Sequence, residues 1–173
     1  TDQRIYWKPV DGDPRPVTPK SLAGALARYS DFLIRGAEIW CVREVTEGPS
    51  TARDLIAISS TDEIRVLDST SHFYAHLALS PDQNQLAWIS WEHPQMPWDA
   101  TQLWRAQYRD VPLSNHQLIA GENNNQAIFQ PQWSPDNQLY FVSDENNWWN
   151  IYRFNLGHSE SVFTSETEFA TPL

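Results

Sequence analysis

The chain has 173 residues, with 12 lysines and arginines against 22 aspartates and glutamates, and a formal net charge of -10. That acidic surplus argues against nucleic acid and against an anionic membrane surface, because phosphate groups are held by a basic face. A content of 40% hydrophobic and 13% aromatic residues, with 9 tryptophans, argues for a folded chain and against an acidic disordered one.

The single cysteine, Cys41, cannot form an internal disulfide, and it points to a reducing, cytoplasmic compartment. No apolar run reaches the length of a membrane-spanning helix. The first residues, Thr1-Asp2-Gln3-Arg4, include neither a methionine nor an apolar signal core. A processed chain or a fragment is the expectation.

In chain order, Ile5–Pro9 reads as a strand, Asp11-Gly12 as a turn and Arg15–Val17 as a short second strand. Pro19–Arg28 is rich in alanine and leucine but short and interrupted by Gly24. At most a single helical turn is expected there. Tyr29–Phe32 and Ile39–Val42 form the next pair of apolar runs, followed by Leu55–Ile58 and Glu63–Leu67.

The same grammar then recurs. Leu79-Ser80-Pro81-Asp82 leads through a polar turn into Leu86–Ser90, and Trp133-Ser134-Pro135-Asp136 leads into Leu139–Ser143. Proline pre-sets the turn and Asp or Asn closes it, which marks a hairpin. Each hairpin is followed by a third strand, Leu103–Ala106 or Ile151–Phe154, and a weaker fourth, His116–Ile119 or Ser161–Thr164.

Four strands per unit at a period near 50 residues is the arithmetic of propeller blades. The expected fold is all-β, a partial β-propeller. It comprises about three four-stranded antiparallel blades plus two partial ones. The expected boundaries within one propeller domain of residues 1–173 are 1–18 for an outer half-blade, then blades at 29–68, 73–120 and 127–165. Residues 166–173 begin the next blade. Blades need neighbours to bury their faces, so the chain reads as a segment of a larger ring. Taken alone, it is expected to self-associate through its open flanks.

The stretch Ser90-Trp91-Glu92-His93-Pro94-Gln95-Met96-Pro97-Trp98-Asp99-Ala100-Thr101-Gln102-Leu103-Trp104 resembles a signature of the prolyl oligopeptidase family of serine peptidases. More narrowly, it resembles the bacterial acylaminoacyl-peptidase or dipeptidyl-aminopeptidase-like branch. There the segment commonly reads W-D-H-P-N-M-P-W-D-G-T-E-L-W. This chain has Glu92, Gln95, Ala100 and Gln102 where that pattern has Asp, Asn, Gly and Glu. His72-Phe73-Tyr74, Ile128–Asp136, Leu139–Asp144 and Trp148–Arg153 fit the same pattern in order. The Ser-Pro-Asp hairpins are shared with TolB-like propellers, whereas the tryptophan-rich insert is far more specific.

The resemblance implies a non-catalytic part of a peptidase, whose propeller caps an α/β-hydrolase domain and admits peptides rather than folded proteins. The implied partners are that hydrolase domain of the same parent chain and, in the parent, a peptide substrate. No cofactor is implied. The alternative is a stand-alone TolB-like binding propeller without enzyme activity.

No catalytic residue is assigned in this chain. Gly48-Pro49-Ser50-Thr51-Ala52 has the outline of a nucleophile elbow, but it lacks the buried strand before it and the helix after it. Ser50 is therefore expected in a surface loop. His72 and His76 are four apart, yet the region reads as strand and no third ligand is evident, so no metal site is assigned. Glu92, Asp99, Asp144 and Glu145 lie beside aromatics, but nothing in the sequence fixes their separation as a glycosidase needs.

Trp40, Trp88, Trp104 and Trp133 are expected to fill space between blades. The candidates for the tunnel or the docking face are Trp91, Glu92, His93, Trp98, Asp99, Glu145, Trp148 and Trp149. Pro94 and Pro97 stiffen the insert, which suits recognition because little entropy is lost on contact. An acidic side chain among Glu92, Asp99 and Glu145 is suited to pair with the free amino group of a peptide.

Overall fold

The structure, a computed structural model, describes residues 2–20, 24–109, 113–123 and 125–169. Fourteen strands and no helix lie among them. They divide into two compact units, Thr1–Thr70 and Ser71–Leu173.

The first unit opens with a two-stranded antiparallel sheet, β1 (Tyr6–Trp7) with β2 (Arg15–Pro16). A four-stranded sheet follows in simple up-and-down order: β3 (Ala25–Arg35), β4 (Glu38–Glu47), β5 (Ser50–Ile58) and β6 (Ile64–Asp68). Its apolar centre is Cys41, Ile56 and Ile58, with Ile5, Tyr29, Ile39 and Ile64 packed against it. Burial pushes the Cys41 thiol up to about 12, so it stays protonated and inert at neutral pH.

Two expectations need correction here. Ala25–Arg28 is not a helical turn but the start of β3. Its leucine and alanines pair with Glu44–Glu47 of β4, so long-range pairing overrides a modest helix propensity. Ser21–Ala23 lie outside the described residues. Ser50 is not in a loop but is the exposed first residue of β5, because Gly48-Pro49 makes a tight turn with Gly48 at φ +55°.

The second unit holds two further up-and-down sheets. One is β7 (Phe73–Leu79), β8 (Gln85–Trp91), β9 (Gln102–Gln107) and β10 (Ser114–Ala120). The other is β11 (Ile128–Trp133), β12 (Leu139–Ser143), β13 (Asn150–Asn155) and β14 (His158–Ser161). The last strand begins three residues before the apolar run Ser161–Thr164. A turn at Leu156-Gly157, both at positive φ, starts it early.

The two sheets pack face to face. Ala87, Ile89, Leu103 and Ile119 of the first meet Leu139, Phe141, Tyr152 and Phe154 of the second in one buried cluster. Both Ser-Pro-Asp turns are closed by their own side chains. The Ser80 hydroxyl donates to Asp82 (2.6 Å) and that of Ser134 donates to Asp136 (2.5 Å). The turns also meet, through the Asp82 N–H and the Asn137 side-chain oxygen (3.4 Å). The Trp133 indole N–H crosses between the sheets to the Ala78 carbonyl (3.0 Å).

Every first strand breaks its pairing register once, between Ser30 and Leu33, Ala75 and Ala78, and Phe129 and Gln132. At each break sits one non-glycine residue at positive φ: Asp31 (53°), His76 (56°) and Gln130 (51°). These are β-bulges, each re-aiming the strand it interrupts.

Candidate functional site

At one end of the second unit, two connections come together, from β8 to β9 and from β12 to β13. The first carries the tryptophan-rich insert. Trp91 ends β8 opposite Phe73, the first residue of β7, and the two rings stack at 5.1 Å with planes 4° apart. His93 meets the same Phe73 ring edge-on at 4.8 Å. Glu92 accepts the His72 backbone N–H (3.1 Å) and also faces the His72 imidazole Nδ1. The root of the insert is therefore folded back onto its own first strand.

Its tip is a tight turn. The Gln95 N–H donates to the Glu92 carbonyl (2.9 Å), and the Asp99 N–H to the Met96 carbonyl (2.9 Å). The Asp99 carboxylate accepts the Met96 N–H (3.2 Å). Trp98 stays 56% exposed at this tip, with Met96 and Asp99 exposed beside it.

The second connection repeats the plan with different chemistry. Asp144 stands where Glu92 does, after the second strand, and accepts the N–H of Ala127, the residue before β11 (2.7 Å). Unlike Glu92, Asp144 is half-buried. Burial pushes its carboxyl above the ordinary aspartate value and Glu168 adds to the rise, while the Ala127 N–H opposes it. Glu145 is exposed, its N–H bonded to the Ser143 hydroxyl (3.1 Å). Trp149 packs edge-on against Phe129 of β11 at 4.8 Å. Its N–H donates to the Glu168 carboxylate (2.6 Å), and its carbonyl accepts the Phe169 N–H (2.9 Å). Trp148 projects, 36% exposed.

A seam joins the two. Thr101, buried after the insert, accepts the Ile128 N–H at its hydroxyl (2.6 Å), which also reaches the Ile128 carbonyl (3.0 Å). The Thr101 N–H donates to the Gln126 carbonyl (3.0 Å). Gly121 lies against this seam at φ +91°, where an added Cβ would come within 2.2 Å of the Thr101 carbonyl oxygen. Only glycine fits that approach.

The structure thus places all eight sequence candidates at one end of the second unit and divides them. Trp91, His93 and Trp149 are anchors, each spent on an aromatic of its own first strand. Glu92 clamps backbone, while Asp99 closes a turn. Trp98, Trp148 and Glu145 are left facing outward. Sequence reasoning did not single out Phe73, Phe129, Thr101 or Glu168 as parts of this end. Their signal was the register, which puts residues 73 and 91 opposite each other, as it does 128 and 143. Among the described residues, no three His, Cys, Asp or Glu side chains group to hold a metal ion. What this end offers is a stiff, acidic, aromatic surface suited to contact.

No protein-family model and no curated protein sequence matches the chain. Solved structures do. A puromycin-hydrolyzing peptidase from Mycobacterium tuberculosis is 33% identical with a TM-score of 0.88, covering 99% of this chain. A puromycin hydrolase is 34% identical with a TM-score of 0.87 over the same share. The chain spans 29% of the length of each. A putative TolB from Agrobacterium tumefaciens matches in fold, at 18% identity and a TM-score of 0.63 over 95% of this chain and 56% of its own. With the tryptophan-rich insert in place between β8 and β9, the chain matches over its length a segment of these peptidases, consistent with a β-propeller segment of the prolyl oligopeptidase family.

Proposed function

We propose that this segment serves as the non-catalytic part of a serine peptidase, gating the approach of peptides to an α/β-hydrolase domain and docking on that domain. The observation that carries the reading is the likeness to two peptidases over 99% of this chain but 29% of theirs. In support, the β8–β9 insert has a braced root and an exposed indole at its tip. A braced loop gives up little conformational entropy on contact, so its exposed ring contributes most of its burial to binding. Glu92, Asp99 and Glu145 add negative charge at the same end, which favours the free amino group of a peptide over a blocked one.

If the reading holds, this chain is encoded within a longer polypeptide, and the test is made on that polypeptide. It should hydrolyse aminoacyl or peptidyl arylamides, and the 173-residue chain alone should not. Trp98→Ala in the longer polypeptide should lower kcat/KM about tenfold without changing the fold. The Glu92→Gln, Asp99→Asn double variant should narrow the preference for free over blocked N-termini. An unchanged preference would remove the carboxylates from the reading. A longer polypeptide with no hydrolase activity would leave a binding propeller of the TolB-like kind instead.

A further inference from the structure

The first four-stranded sheet differs from the other two in length. β3, β4 and β5 run 11, 10 and 9 residues, whereas the strands of the second unit run 4 to 7. The excess forms a three-stranded arm, in which residues 25–30 pair with 42–47, and 42–47 pair with 50–55. β6 reaches only as far as Leu55. Among the described residues, no strand pairs with the outer edge of β5 from Ser50 to Asp54. The stretch Gly48–Ala52, with its outline of a nucleophile elbow, is the tip of this arm.

The edge is built to accept a strand. Gly48-Pro49 is a two-residue turn, so Glu47 and Ser50 form its hydrogen-bonded pair, and the backbone groups of Thr51 and Arg53 point away from β4. An outward row of this kind templates a further strand. Charge is the usual guard against such pairing, and here the charges are engaged within the arm. Arg53 bonds Glu44 (2.7 Å), which also holds Arg28 (2.9 Å). The Arg43 guanidinium donates to both oxygens of Asp54 (3.0 and 2.5 Å). Ser50, Thr51 and Ala52 are small and exposed.

The edge is also complementary to itself. Two copies related by a two-fold axis through Ala52 would set Thr51 of one copy opposite Arg53 of the other, and Ser50 opposite Asp54. Hydroxyls then meet charged groups, and the two Ala52 methyls meet at the axis. An axis at Arg53 would set two guanidiniums opposite each other. One at Thr51 would set Arg53 opposite Pro49, which has no N–H to give.

We propose that the outer edge of β5 is a docking site for the same edge of a second copy of this chain, antiparallel and centred on Ala52. The two arms then join into one continuous sheet. This contact is separate from the open blade flanks, and it requires neither a hydrolase domain nor a peptide substrate. So short an edge makes a small contact, and the dimer is therefore weak and concentration-dependent.

Disulfide trapping tests it, because the one native thiol of this chain, Cys41, is buried and held protonated. Ala52→Cys and Thr51→Cys are made in the full-length protein and oxidised with glutathione disulfide, which takes up the two electrons and leaves as two glutathione thiols. Across the proposed axis the two residues 52 have Cα atoms about 4.5 Å apart, within disulfide reach. The two residues 51 are roughly 7–8 Å apart, beyond it. Residue 52 should therefore give a linked dimer about tenfold faster than residue 51. Ala52→Lys sets two ammonium groups at the axis and should lower the association constant about fivefold in sedimentation, with the melt of the dilute protein unchanged. Equal trapping at 51 and 52 overturns the proposal, since it marks random collision. No trapping at either overturns it too and leaves the edge to a segment of another kind. Association that ignores Ala52→Lys also overturns it, and moves the contact to the open flanks.

Discussion

The two connections at the candidate site, Glu92–Thr101 and Asp144–Trp149, start from equivalent places and solve the same problem in opposite ways. Both hold the residue preceding their first strand with a carboxylate, and a tryptophan packs against that strand in each case, Trp91 just before the first connection and Trp149 at the end of the second. The longer loop keeps its carboxylate exposed and pairs it with His72. The shorter one half-buries its carboxylate, at an electrostatic cost to which Glu168 adds. Brace and display are thus separable tasks. The residues that hold each loop in shape are different from those it shows to solvent.

The largest expected effect comes from breaking the seam common to both loops. Gly121→Ala should destabilise the chain by about 2–3 kcal/mol, since a Cβ there meets backbone and the φ disfavours any other residue. In a thermal melt that corresponds to a drop of roughly 4–12 °C for a chain of this size. A melt within a degree of the parent would mean that the seam yields more readily than its geometry implies.

Next come the tryptophans, where bracing and display should part. Trp91→Ala and Trp149→Ala should each cost about 1–3 kcal/mol, because each removes a ring packed on another. Trp98→Ala should cost about 0.5 kcal/mol or less, as an exposed ring does. Urea denaturation of the three variants ranks them, and an equal loss for Trp98 would erase the division.

The buried carboxylate of the shorter loop should make stability depend on pH. Because the folded state raises the Asp144 value, folded protein binds more protons than unfolded protein as pH climbs from about the aspartate range. Stability contributed through this group therefore falls with rising pH across that window. Asp144→Asn keeps an acceptor for the Ala127 N–H and removes the charge. It should match or exceed the parent's stability at pH 7, with the advantage shrinking toward pH 4. Asp144→Ala loses the acceptor and should cost about 1 kcal/mol at either pH. The smallest effect belongs to Glu92→Gln, at about 0.5 kcal/mol or less near pH 7, because the pair it breaks is exposed.

Much of the fold was legible because it repeats. Ser-Pro-Asp turns announce their hairpins by their own side chains, and Leu86–Ser90 and Leu139–Ser143 are apolar enough to be buried strands. What was not legible came from pairing at a distance. Ala25–Arg28 became strand because β4 continues to Glu47, and nothing local in the alanine-rich stretch says so. The candidate site was legible as a place, through the run from Trp91 to Asp99. The split between braces and displayed groups was not, since Trp91 and Trp98 differ only in what lies across from them.

The bulges at Asp31, His76 and Gln130 divide each first strand into two short pieces whose inward and outward positions are out of phase. A strand already broken in this way has a built-in place for length variation. Adding or deleting one residue beside the bulge shifts a phase that changes there anyway, whereas the same change in β8 or β12 would turn a continuous buried row inside out. For anyone grafting blades between such proteins, the first strand offers the tolerant splice point and the second strand the forbidden one.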